Sequence, residues 1–236
     1  MCIPIAITTY NRTEYLKRTL KSLENSYANL ENLVIVDDCS KNEKHVAYLR
    51  KLNYTIVLND SNLGTFKNTI KAVNLAFEKN KESNYIVYAQ DDILFSKNWL
   101  YDSIALFESI PKDERIAYLN LCDRNSKEKP THLGYEILKI GHHGALCWLI
   151  SKKFWEKFIK NCEDKNGIEF FGANQAKKTY MQKHICDKKI TEYARELGYK
   201  VAKVTGCSLV NHIGNKSSLH DNDMSMWSSK NFVGEE

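Results

Sequence analysis

The chain has 236 residues, 43% hydrophobic and 27% charged, with 34 basic against 29 acidic residues and a formal net charge of +5. That composition excludes a disordered chain, and no apolar run approaches the roughly 18 residues of a membrane span. The length allows one or two domains and a core that needs no disulfide or structural metal. Seven cysteines are scattered along the chain without C-x-x-C spacing, so they read as thiols rather than as a disulfide framework or zinc site. Met1 to Thr9 lacks the basic-then-apolar pattern of a secretory leader, and a cytoplasmic location is the expectation. The modest excess of lysine and arginine suits partners that carry phosphate.

In chain order, Ile3–Thr8 is a short apolar run suited to a buried parallel strand. Asn11, with Glu14 three residues on, resembles a capping box, and Leu16, Leu20 and Leu23 mark one helical face. Leu33–Val36 is a second strand ending in Asp37-Asp38, a helix is expected near Glu43–Lys51, and Tyr54–Leu58 is a third strand. Phe66, Ile70, Val73 and Phe77 recur at helical spacing, and Tyr85–Ala89 is a fourth strand ending at Gln90-Asp91-Asp92. This β-α-β-α-β-α-β order predicts a mostly parallel α/β sheet flanked by helices on both faces.

Beyond a helix at Trp99–Phe107, strands are expected at Ile116–Leu121, Tyr135–Ile140 and Ala145–Ile150 without regular helices between them. Ser151 is placed to cap a helix carrying Phe154, Trp155, Phe158 and Ile159. Residues 163–175 read as a polar loop. A last helix near Lys188–Leu197 starts after Asp187 and stops at Gly198. Tyr199–Val204 and Ser208–Ile213 read as closing strands, and 215–236 as a flexible tail. No linker separates independent domains.

In parallel sheets ligands bind beyond the carboxyl ends of the strands. Thr8-Thr9, Asp37-Asp38 and Asp91-Asp92 all fall at strand ends, a placement a purely structural sheet does not require. Adjacent carboxylates repel unless compensated, and a hard divalent ion, Mn2+ or Mg2+, that leaves positions open for phosphate oxygens is a natural compensator. Asp37 and Asp38 are suited to accept from a nucleobase edge or ribose hydroxyls. Asn62, Gly64 and Asn68 form a loop-to-helix entry whose N–H groups suit phosphate. Each segment alone also fits a bland reading: solvated turn aspartates, or an ordinary turn with a helix cap.

Four stretches in order, Ile5-Ala-Ile-Thr-Thr-Tyr-Asn-Arg12, Val34-Ile-Val-Asp-Asp-Cys-Ser40, Asn59-Asp-Ser-Asn-Leu-Gly64 with Asn68, and Tyr88-Ala-Gln-Asp-Asp-Ile93, resemble the inverting, GT-A-fold (Rossmann-like) glycosyltransferase family 2 over roughly the first 110 residues. The resemblance implies a single domain with a nucleotide-sugar-binding half (1–110) and an acceptor-binding, catalytic half (111–214). It implies Thr8 and Asp38 against the nucleotide base, with Tyr10, Arg12 and Gln90 joining Asp37, Asn62, Gly64, Asn68 and Asp91 in holding the donor. Asp92 would serve the metal, where the family's pattern is commonly Asp-x-Asp and here reads Asp91-Asp92-Ile93. Val210-Asn-His-Ile-Gly214 resembles the family's closing segment, whose histidine, His212, would reach the metal or diphosphate. Gly144-Ala-Leu-Cys-Trp-Leu-Ile-Ser151 resembles the acceptor side, where His142 and His143 are weaker candidates. The helix opened by Asp187 resembles the one that carries the catalytic base, with Glu169 as second candidate.

The implied reaction moves a sugar from a nucleoside-diphosphate donor, UDP-type by default, to a hydroxyl acceptor, a glycan or glycoconjugate by default. Hydroxylated bases in DNA are an alternative acceptor, motivated by the net charge and by Lys152-Lys153 and Lys177-Lys178. A nucleotidyltransferase shares the sheet and carboxylates, but the loop Thr8-Thr9-Tyr10-Asn11-Arg12 lacks the glycines that hold a triphosphate. A non-catalytic nucleotide-sugar-binding or nucleic-acid-binding module would need no carboxylate at Asp187.

Overall fold

Ile5–Thr9 forms β1, and its alternation serves two layers at once. Ile5 and Ile7 pack on one face of the sheet and Ala6 on the other, as the two-residue period of a strand dictates. The computed structural model describes residues 2–26, 28–123, 129–138, 146–164, 186–214, 228–232 and 234.

After β1 come α1 (Thr13–Glu24), β2 (Leu33–Asp37), α2 (Glu43–Leu49), β3 (Thr55–Leu58), α3 (Gly64–Lys79) and β4 (Tyr85–Gln90). The second half contributes β5 (Ile93–Phe95), α4 (Trp99–Ser109), β6 (Ile116–Asn120), β7 (Gly134–Leu138), β8 (Cys147–Ser151), α5 (Lys152–Asp164), α6 (Cys186–Glu196), β9 (Lys200–Thr205) and β10 (Val210–His212). Among the described residues, eight strands form one sheet in the order β3-β2-β1-β4-β8-β6-β9-β7. β3, β2, β1 and β4 are parallel, β8 runs against both its neighbours, β9 is parallel to β6 and β7 antiparallel to β9. The sheet is therefore mostly parallel, as expected.

One face packs on α1, α2 and α4 through Leu16, Leu20, Leu23, Leu49, Trp99 and Leu100. The other packs on α3, α5 and α6 through Phe66, Ile70, Val73, Phe77, Phe154, Phe158, Ile190 and Ala194. The stripes at helical spacing thus bury as the pattern requires. Burying them removes apolar surface from water, the main favourable term in folding.

Four expectations differ from the structure. Asn11 caps nothing: it takes a left-handed backbone (φ 57°), and its side-chain oxygen accepts the Lys41 and Asn42 amides. Asn42 is the residue that caps a helix, accepting from the Lys44 and His45 amides at the start of α2. The short strand β5 was hidden behind the two aspartates; it pairs antiparallel with β10 outside the main sheet. Asp187 does not precede its helix, because α6 already begins at Cys186. The expected flexible tail also fails at 228–232, where Ser229 and Asn231 are buried. There the Ser229 amide bonds Asn211 and Asn231 Nδ2 bonds Asp123. The loop residues 165–175, including Glu169, lie outside the described residues, as do His142, His143, Gly144, Lys177 and Lys178. No helix among the described residues is long and apolar enough to cross a membrane.

Candidate active site

The parallel register brings the strand ends level, with Thr9 beside Asp37 and Thr8 beside Gln90. One residue past β4 the chain turns through Asp91 and Asp92, and both carboxylates are buried, 3% and 2% exposed. The turn is pinned from below by α1: the Thr19 hydroxyl donates to the Asp91 carbonyl at 2.8 Å and accepts the Ile93 amide at 3.0 Å. It is pinned from the side by β10, since the Ile213 amide bonds the Asp92 carbonyl at 2.9 Å.

The two aspartates do different things. The Asp91 carboxylate turns inward, accepting from the Thr9 hydroxyl at 2.6 Å and from Arg12 Nη1 at 3.2 Å. Burial, aided by the neighbouring Asp92 charge and opposed by Arg12, pushes it up to about 6. Asp92 Oδ2 meets Arg12 Nη1 at 2.7 Å and His212 Nε2 at 3.1 Å. Burial works to raise this carboxyl too, but His212 and Arg12 outweigh it and hold it below the ordinary value. Burial likewise works against the Arg12 charge, and Asp92 and Asp91 more than offset it, so the guanidinium is raised above its ordinary value. Arg12 also lies on the face of the Tyr15 ring, 4.4 Å from its centroid, in a cation–π contact. An open groove of about 790 Å³ between α1 and α2 leads to it.

Three atoms of this cluster are buried with no hydrogen-bond partner among the described residues: Arg12 Nε, Arg12 Nη2 and Asp92 Oδ1. A buried polar group without a partner costs about 1–3 kcal/mol. Gly214 closes the cluster, since a Cβ there would collide with Asp92 Oδ2 and come within 2.6 Å of Arg12 Nη2 and 2.8 Å of His212 Nε2. Two further buried donors lack partners among the described residues, Asn120 Nδ2 and Trp148 Nε1, on residues paired across β6 and β8. Among the described residues no three His, Cys, Asp or Glu side chains are grouped to hold a metal unaided.

The remaining candidates form a second network. The Asp38 carboxylate accepts the Leu63 and Gly64 amides at 2.7 and 2.9 Å, so the start of α3, expected to receive phosphate, is taken by a side chain of the chain itself. Gly64 is the residue able to adopt the required φ of 76° without strain. Asn62 bonds the Asp38 carbonyl, and Asn68, buried, bonds Asn59 and the Val36 carbonyl. Asp37 is held by the Ser40 amide and hydroxyl and by His45. The Thr8 hydroxyl shares a hydrogen bond with Tyr88, while Tyr10 and Gln90 are half-buried at the same edge.

So the fold joins Arg12, Asp91, Asp92 and His212, and sets Asp37, Asp38, Asn62, Gly64 and Asn68 beside them as a hydrogen-bonded wall. The sequence gives no role to Thr19 or His45, and it marks Gly214 only as the end of the closing stretch Val210–Gly214. A threonine inside a leucine stripe is the one visible trace of Thr19; nothing local marks His45. Asp187 lies one turn before Thr191, whose hydroxyl bonds Tyr118 of β6 at 2.7 Å. Because α6 leads into β9, which is parallel to β6, its first turn stands at the carboxyl edge of the sheet.

Residues 5–185 match the family model described as glycosyl transferase family 2. The chain belongs to this family. No curated protein matches it. Among solved structures, S. aureus TarS is similar with a TM-score of 0.44 and 18% identity, over 69% of this chain and 49% of that one. TarS in complex with UDP gives 0.41 and 24% identity, over 56% and 38%. The mannosyltransferase PcManGT from Pyrobaculum calidifontis, in complex with GDP-Man and Mn2+, gives 0.46 and 16% identity, over 66% and 46%. The chain spans less than half the length of each of these. In this glycosyl transferase family 2 chain, the match runs from β1 to the threshold of α6, and so includes both aspartates and Arg12 but neither Asp187 nor His212.

Proposed function

We propose that this chain transfers a glycosyl group from a nucleoside-diphosphate sugar to a hydroxyl acceptor, with inversion, at the Arg12–Asp91–Asp92–His212 centre. The carrying observation is the set of unpartnered buried atoms. Among the described residues, Asp92 Oδ1 is an acceptor with no donor, and Arg12 Nε and Nη2 are donors with no acceptor. A divalent cation bound to a diphosphate carries both complements. Asp92, with His212 beside it, would hold the cation, Mn2+ or Mg2+, with diphosphate oxygens completing its shell. When bound, that ion supplies Lewis-acid stabilisation of the departing diphosphate.

The chain's own residues do the rest. Asp38, fixed by the α3 amides, and Asp37 form the side of the cleft suited to the base and ribose, along with Thr8, Tyr10 and Gln90. Arg12 stabilises negative charge as it grows on the leaving oxygen. A carboxylate takes the acceptor hydroxyl proton as that oxygen bonds the anomeric carbon and the bond to the diphosphate breaks. Asp187 is our assignment for this base, from its place in the first turn of α6 at the carboxyl edge, with Glu169 as the alternative. The acceptor class we assign is a glycan or glycoconjugate, from the breadth of the family.

A thermal-shift panel of UDP, GDP and their sugars, with and without Mn2+, tests the assignment. Ligand at 100 times its Kd raises native-state stability by about 2.7 kcal/mol. A metal-dependent rise for one nucleotide class, lost in Asp92→Ala, is expected; equal, metal-independent rises in both proteins would overturn it. For the base, Asp187→Asn is expected to lower turnover by about 10²–10⁴-fold with nucleotide binding retained. Full turnover in that variant moves the role to Glu169.

A further inference from the structure

The carboxylate that would hold a divalent ion, Asp92, already holds a cation, which it shares with Asp91. Arg12 Nη1 bridges Asp92 Oδ2 at 2.7 Å and Asp91 Oδ1 at 3.2 Å, with the arginine side chain only 14% exposed. Two carboxylates against one guanidinium leave the trio with one uncompensated negative charge, yet the guanidinium engages them through one nitrogen alone. Its other two nitrogens are buried and have no partner among the described residues. A guanidinium normally spends its fork on paired oxygens, as in bidentate carboxylate or phosphate contacts.

We propose that Arg12 is an internal counter-cation, which leaves Asp91 and Asp92 when the divalent ion binds and is drawn off by the donor's diphosphate. This rests on the metal-and-diphosphate reading given above. The Tyr15 ring supports the guanidinium face. Gly214 leaves clearance beside Nη2, where any Cβ would come within 2.6 Å.

The consequence is a coupling between two ligands. Metal binding alone must expel Arg12 and strand a desolvated guanidinium, while nucleotide binding alone must pull it from two carboxylates, so each is opposed. Bound together, metal takes Asp92 and diphosphate takes the guanidinium, and each event offsets the other's cost. Such coupling is reciprocal: metal tightens nucleotide by the same factor that nucleotide tightens metal. Arg12 thereby acts as a gate against unproductive metal loading as well as a ligand for the leaving group.

The test is titration calorimetry of Mn2+ alone, UDP or GDP alone, and each with the other present, on the unaltered protein, Arg12→Ala and Arg12→Lys. Removing the competitor is expected to make Arg12→Ala bind Mn2+ alone on the order of tenfold tighter and to shrink the Mn2+–nucleotide coupling towards none. Its melting temperature is expected to fall in metal-free buffer and to recover with Mn2+. Mn2+ affinity in Arg12→Ala no tighter than in the unaltered protein, with coupling intact, would overturn the proposal. If Arg12→Ala does not fold, Arg12→Lys decides. A single amine without the fork is expected to release the carboxylates more easily and weaken the coupling, and unchanged values in it overturn the proposal. Asp92→Ala separates the two readings. Mn2+ binding that survives in that variant removes the metal assignment itself, whereas its loss there with no gain in Arg12→Ala removes only the counter-cation.

Discussion

At the scale of single residues, the centre depends on one position that carries no side chain. Gly214 sits where a Cβ would strike Asp92 Oδ2 and crowd Arg12 and His212. Gly214→Ala is expected to weaken metal-dependent nucleotide binding by at least about tenfold, because Asp92 must move and a misplacement of about 1 Å costs heavily at such sites. Calorimetry beside far-UV circular dichroism checks it: unchanged affinity in the folded variant would show that the close approach is not needed. Asp37 makes a second case, this time for pH. Burial alone would raise its carboxyl, but hydrogen bonds from His45 and Ser40 outweigh burial and hold it lowered. A depressed folded-state value means the native form prefers the ionised group. Its stabilisation is present above the unfolded value of about 3.9 and disappears as pH falls through the lower folded value. Urea midpoints measured from pH 6 down to pH 2 are expected to fall less steeply in Asp37→Asn than in the unaltered protein. Parallel slopes would show that Asp37 contributes nothing to acid sensitivity.

At the scale of elements, α1 does more than cover the sheet. Its Leu16, Leu20 and Leu23 are buried in the core, and among them Thr19 reaches the turn between β4 and β5 with both a donated and an accepted hydrogen bond. That turn carries both aspartates, so helix packing and site geometry are one arrangement. Thr19→Val keeps the shape and removes the hydroxyl, leaving the buried Asp91 carbonyl and Ile93 amide unpaired. The expected cost is about 1–3 kcal/mol for each group left unsatisfied, with weaker Mn2+ affinity as a second effect, and Thr19→Ser is expected to restore much of both. Denaturant unfolding and Mn2+ titration read the two effects separately. A Thr19→Val protein as stable as the unaltered one would mean that the turn is held by β10 alone.

At the scale of the whole molecule, the first and second halves of the chain share one sheet. β4 of the first half pairs with β8 of the second, and the Trp148 ring on β8 stacks on Tyr118 at 4.5 Å and meets Tyr88 at 5.7 Å. Trp148 is fully buried, so it ties β4, β8 and β6 into one core. Trp148→Ala is expected to cost about 3–5 kcal/mol while unfolding stays a single transition by calorimetry. Two separate transitions, with only the second shifted, would show that residues 1–110 form an independently stable unit.

What the sequence determined by itself was local. Periodic leucines and phenylalanines named the helices, short apolar runs named the strands, and the aspartate pairs after strands marked the carboxyl edge, because period and burial are properties of consecutive residues. The family resemblance brought Arg12 and His212 into the candidate list but could not say what they touch. Tertiary structure decided that. Arg12 and Asp91 are 79 positions apart, and His212 reaches Asp92 across 120 positions because β10 doubles back on β5. It also decided that Asp38 is spent on the start of α3 instead of leaving that start open for phosphate. Pairings at such separations follow from sheet order and register, and those are set by how two faces of a sheet bury themselves together.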